Sequence, residues 1–134
     1  DMIATAAGWA LPDLQGCILL LEAAHMYLGQ IDRQLTMLRK GGYFDGITGV
    51  AVGQFTDCPP SGSWTVIDVL RQHLSELNVP ILGGLPLGHG RNARSVPLGT
   101  MARIDTETGS LTLASATEHS NAWAAIQQGL GSEA

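Results

Sequence analysis

Short unbroken apolar runs, cut by glycine, proline and single charged positions, alternate along this chain with stretches of helical spacing. The first run, Cys17-Ile18-Leu19-Leu20-Leu21, follows the turn-forming Leu11-Pro12-Asp13-Leu14-Gln15-Gly16 and stops at Glu22. A brief apolar run behind a turn is the signature of a strand buried on both faces. In residues 30–40, Ile31, Leu35 and Leu38 share one helical face. Arg39 and Lys40 fill the last turn, where cations complement the helix dipole, and Gly41-Gly42 ends the helix. Residues 47–55 predict a second buried strand, with glycines where another backbone comes close.

The pattern then repeats. Cys58-Pro59-Pro60-Ser61-Gly62-Ser63 is a loop, and Ser63 or Thr65 can cap a helix whose stripe is Val66, Val69, Leu70, Leu74 and Leu77. Asn78-Val79-Pro80 closes it and opens a third short strand, Ile81-Leu82. Residues 83–90 form a glycine-rich loop carrying His89. Residues 101–105 and 110–113 flank Thr106-Glu107-Thr108-Gly109 as a hairpin. Residues 2–10 can form a helical turn and residues 121–128 a final helix. This order predicts a single α/β domain over residues 1–134, with a mixed sheet and flanking helices.

Composition narrows the function. The 134 residues are 45% hydrophobic but only 14% charged, against roughly 25% in an ordinary soluble domain. Seven basic and twelve acidic residues give a net charge of −5, which argues against nucleic acid as a partner. Mean hydropathy is +0.14, and no uncharged apolar stretch nears the ~20 residues of a membrane span. The shortage of charge also suggests that part of the surface is covered by something else. The N-terminus shows no leader pattern and no initiator Met, as expected of a piece trimmed from a longer protein. Cys17, at the head of the first apolar run, reads as a core thiol, and no cysteine or histidine spacing suggests a metal.

Two residues break local rules. Glu22 ends an apolar run, where a carboxylate is costly unless it is paired or faces a pocket; the plainer reading is that it marks the strand's exit into solvent. His89 lies between Gly88 and Gly90, which leave an imidazole uncrowded, as proton transfer requires; the plainer reading is an idle loop histidine. His25 is a weaker candidate. His73 and His119 read as structural or solvated, and Asp32-Arg33 as a capping and surface pair. Arg91 and Arg94 could hold a substrate carboxylate. A Glu–His pair is two-thirds of a nucleophilic triad, but no serine sits in a strand–turn–helix G-x-S-x-G setting.

Five ordered segments carry a resemblance: residues 12–22 (PDLQGCILLLE), 31–35 (IDRQL), 53–58 (GQFTDC), 79–90 (VPILGGLPLGHG) and 97–99 (PLG). Over roughly residues 1–114 the chain resembles the C-terminal half of the LD-carboxypeptidases, a serine peptidase family that includes the microcin C immunity peptidases. The resemblance implies a swivelling β/β/α-type fold and a Ser–His–Glu triad in which Glu22 and His89 match the glutamate and histidine. The serine would belong to an N-terminal domain of the same protein that this chain lacks, so the chain alone is expected to be inactive. It further implies hydrolysis, without a cofactor or metal, of the L,D-amide that releases a terminal D-amino acid from murein peptides in cytoplasmic peptidoglycan recycling. Members are commonly homodimers. The alternatives are a non-catalytic binding domain or an immunity-type domain acting on a peptidyl-nucleotide. Ala23-Ala24-His25 departs from the acidic or polar residues expected after the glutamate, which leaves substrate contacts there open.

Overall fold

The structure of the protein is a computed structural model that describes residues 2–114. Its first helix, α1, spans Met2–Ala6, and the first strand, β1, spans Ile18–Ala24. β1 begins one residue after the apolar run begins and continues through Glu22 to Ala24. Its sides differ: Leu19, Leu21 and Ala23 are buried, whereas Ile18, Leu20, Glu22 and Ala24 are partly exposed.

Helix α2, Leu28–Lys40, starts two residues earlier than its apolar periodicity suggests. The Gln30 side chain accepts the Tyr27 N–H at 2.9 Å and satisfies a donor at the helix entrance. Leu28, Ile31, Leu35 and Leu38 form its buried stripe. Strand β2, Gly49–Thr56, pairs in parallel with β1, and β3, Ile81–Leu82, pairs in parallel with β2, giving the order β1-β2-β3. Between them lies α3, Val66–Leu74, extended by a 3-10 turn at Ser75–Leu77. Of the two anticipated caps, Thr65 does the work. Its hydroxyl oxygen accepts the Asp68 N–H, and its own N–H donates to the Asp68 carboxylate at 2.8 Å. The Thr65 hydroxyl also donates to the Asp68 carboxylate at 2.6 Å, and that bond, with the one from the Thr65 N–H, holds the Asp68 carboxyl below its usual range.

One apolar cluster joins Leu19, Leu21, Ala23, Val50 and Val52 of the sheet to the stripes of α2 and α3, so both helices cover the same face. Strands β4, Ala102–Asp105, and β5, Ser110–Leu113, form an antiparallel hairpin. The Asp105 carboxylate accepts the Glu107 and Thr108 N–H groups within its turn. The expected α/β class is therefore present, with parallel and antiparallel pairings divided between two sheets. The hairpin meets the parallel sheet at Gly49, where a Cβ would stand 3.1 Å from the Ile104 side chain. An apolar groove of about 460 Å³, lined in part by Ile18, Leu20, Leu98, Met101 and Leu111, runs beside it.

Two expectations are corrected. Cys17 is exposed and free, not a core thiol, because it still belongs to the turn that precedes β1; its N–H donates to the Leu14 carbonyl. Asp32 is not a cap. With α2 starting at Leu28 it lies in the second turn, where its carboxylate meets His73 Nε2 at 2.8 Å. His73 itself is only 2% exposed and bridges α3 to α2, a structural histidine as expected but one fully withdrawn from solvent. The anticipated helix over residues 121–128 and His119 lie outside the described residues.

Candidate functional site

Glu22 and His89, 67 positions apart, are in contact: Nδ1 of the imidazole lies 2.9 Å from Oε2 of the carboxylate. Three local features bring them together. The first is that β1 does not end at Glu22. The carboxylate is held by paired strand on both sides, at the carboxyl end of a parallel sheet, where open α/β folds build their crevices. That arrangement displaces the strand-exit reading.

The second is a β-bulge. Leu21 pairs with Val52 and Ala23 with Phe55, so Gly53 and Gln54 of β2 together oppose the single residue Glu22. The third is the close seating of the 83–90 loop on β2. The Gln54 N–H donates to the Leu87 carbonyl at 2.7 Å. A Cβ at Gly53 would overlap that same carbonyl, so the glycine anticipated as a point of backbone approach is one. Gly88 then turns the chain with φ +124°, a value L side chains rarely adopt, and a Cβ there would lie 3.0 Å from Glu22 Oε2.

With Nδ1 donating to the carboxylate, the lone pair of the neutral ring falls on Nε2, the nitrogen suited to accept a proton. The His89 side chain is 66% exposed and that of Glu22 31%, so the basic nitrogen sits on an accessible rim with its anchor half-shielded beneath. Among the described residues no serine hydroxyl is hydrogen-bonded to His89, and no group of three His, Cys, Asp or Glu could hold a metal ion.

Arg91 is exposed, and its backbone carbonyl is what ties it to the site, by accepting from Gln54 Nε2 at 3.2 Å. His25 is separate from the Glu22–His89 pair. It takes φ 56° at the end of β1, opposite Asp57 with φ 51° at the end of β2, and their side chains stand 3.5 Å apart. Both are non-glycine residues in the left-handed region, which His and Asp enter more readily than most side chains. Sequence reasoning did not single out Gln54, although a polar residue closing the apolar run of β2 was a visible signal.

The sequence model of the LD-carboxypeptidase C-terminal domain matches residues 1–104. A Synechocystis protein named as a carboxypeptidase is 37% identical over 103 residues, covering 75% of this chain and 34% of the relative. A Bacillus subtilis protein named as a murein peptide carboxypeptidase is 31% identical over 97 residues, covering 70% of this chain and 30% of its own length. The crystal structure of muramoyltetrapeptide carboxypeptidase from Oxalobacter formigenes superposes with a TM-score of 0.73 at 28% identity, over 84% of this chain and 41% of that one. The chain thus spans about a third of the length of these relatives by sequence. With a family model matched across most of its length and the same fold in a solved relative, this chain belongs to the LD-carboxypeptidase C-terminal domain family.

Proposed function

We propose that this chain supplies the histidine and glutamate of a serine carboxypeptidase that hydrolyses an L,D-amide and releases the terminal D-amino acid of a murein peptide. The observation that carries the reading is the 2.9 Å contact between Glu22 and His89 on an accessible rim. Support for the substrate class comes from the relatives named for murein peptides. His89 Nε2 accepts the proton of a serine hydroxyl as that oxygen attacks the scissile carbonyl, then returns a proton to the departing amine of the D-residue. Glu22 stays ionised, fixes the tautomer that leaves Nε2 basic, and stabilises the imidazolium while it exists. Arg91 is placed in the sequence beside His89, and its guanidinium is assigned to the substrate's terminal carboxylate, for which its planar fork is suited.

The serine and the oxyanion donors belong to the two-thirds of the relatives' length that this chain does not span. That remaining portion is assigned as the partner covering the apolar groove, where Leu98 is 82% exposed. The same protein would act in the cytoplasm, on peptides returned from cell-wall turnover.

The test is release of D-Ala from a tetrapeptide ending in diaminopimelyl-D-Ala, measured for the 134-residue chain and for the protein carrying it at the relatives' full length. The chain alone should release none. The full-length protein should be active, and Glu22→Gln or His89→Ala should lower its turnover by about three orders of magnitude or more, because triad members act as a unit. Near-normal turnover in either variant, or hydrolysis by the chain alone, would overturn the assignment.

A further inference from the structure

We propose that Gln54 is the positioning residue that holds His89 in register with Glu22, a proposal that rests on reading those two residues as the working pair. The loop needs such a holder. His89 is flanked by Gly88 and Gly90, its ring is largely exposed, and packing therefore does little to fix it. Ordering such residues costs backbone entropy, most for glycine.

Gln54 grips the loop on both sides of the histidine. Before it, the Gln54 main-chain N–H donates to the Leu87 carbonyl at 2.7 Å. After it, Gln54 Oε1 accepts the Gly90 N–H at 2.9 Å, and Nε2 donates to the Arg91 carbonyl at 3.2 Å. Both ends of one side-chain amide are used, and only one orientation of that amide satisfies both partners. The fit is close: a Cβ at Gly90 would overlap the Gln54 amide.

The bulge explains why this side chain is available. In unbroken alternation Gln54 would share the face of Val50 and Val52 and lie against the helices. Because Gly53 and Gln54 together oppose Glu22, alternation slips by one residue. Phe55 takes the core-side place, packing against the apolar cluster, and Gln54 is turned to the loop. The irregularity lies across from Glu22 and re-aims a polar side chain toward its partner, a use to which bulges near functional sites are put.

The experiment is nitrogen-15 NMR of the 134-residue chain at a pH where the His89 imidazole is neutral, reading its tautomer, together with hydrogen exchange of the Gly90 amide. In the parent chain the Nδ1–H tautomer should dominate, and Glu22→Ala should convert it to a mixture. Gln54→Met, which keeps side-chain length without the amide, should give the same mixture and raise Gly90 exchange by roughly tenfold, the loss expected for one hydrogen bond. The buried His73 ring should keep its signals and so report an intact fold. Gln54→Glu, which retains an oxygen for the Gly90 N–H but not the donor to Arg91, should fall between. A parent tautomer and parent exchange rate in Gln54→Met would overturn the positioning role while leaving the Glu22–His89 pair standing. An unchanged tautomer in Glu22→Ala would instead overturn the pair. Should Gln54→Met fail to fold, an unchanged tautomer in Gln54→Glu would refute the proposal and a mixture would support it.

Discussion

Gly53→Ala isolates the seating of the His89 loop from the chemistry of the site. A Cβ at position 53 would overlap the carbonyl oxygen of Leu87 and crowd its carbonyl carbon, both main-chain atoms and so unable to swing aside as a flexible side chain could. Restoring ordinary contact requires the loop to withdraw by about 1 Å. The Gln54-to-Leu87 hydrogen bond, now 2.7 Å, would lengthen beyond useful range. The Glu22–His89 contact, at 2.9 Å, tolerates an increase of only about 0.6 Å before it ceases to be a hydrogen bond. Overpacking of this kind costs about 1–3 kcal/mol, because β2 is held between β1 and β3 and cannot itself retreat. Urea denaturation should therefore show a lower midpoint with an unchanged slope. The full-length protein should lose turnover more than it loses substrate affinity. A Gly53→Ala variant with parental stability and parental turnover would refute the claim that the loop is seated on this glycine.

Asp32→Ala should cost about 1–3 kcal/mol in urea denaturation, since Nδ1 of the buried His73 already lacks a partner and Nε2 would lose its own. Thr65→Ala should cost about 1 kcal/mol by the same measurement through loss of the α3 cap. Asp68 and Asp105 are both held below the ordinary value of 3.8, by hydrogen bonds from Thr65 and Thr108 respectively. Their stabilising contribution is present above that value and is lost as pH falls through the lower folded values. Acid denaturation followed by circular dichroism should therefore show a smaller pH-induced loss below pH 3.8 in Asp68→Asn than in the parent.

Most elements were legible because their causes are local. The apolar run before Glu22, the stripe of Ile31, Leu35 and Leu38, the Thr65 cap and the glycine-closed hairpin each follow from neighbours within one or two turns. Cys17 belongs to the apolar run by composition, yet it lies before the point at which β1 starts to pair. Asp32 reads as a cap only if α2 starts near Gln30; the helix starts at Leu28, and the partner of Asp32, His73, is 41 positions away.

The candidate site shows the same division. Sequence singled out Glu22 and His89 as residues breaking local rules, and family resemblance coupled them; nothing in their spacing said that they touch. The role of Gln54 is not legible in the sequence because its orientation depends on a bulge, and a bulge exists only as a mismatch between two strands. The sequence by itself determined where this chain would pair, coil and turn, since periodicity and backbone preference act over a few residues. Only the tertiary structure decided which carboxylate, imidazole and amide meet, because those encounters are made by strand register and loop seating between segments that are distant in the chain.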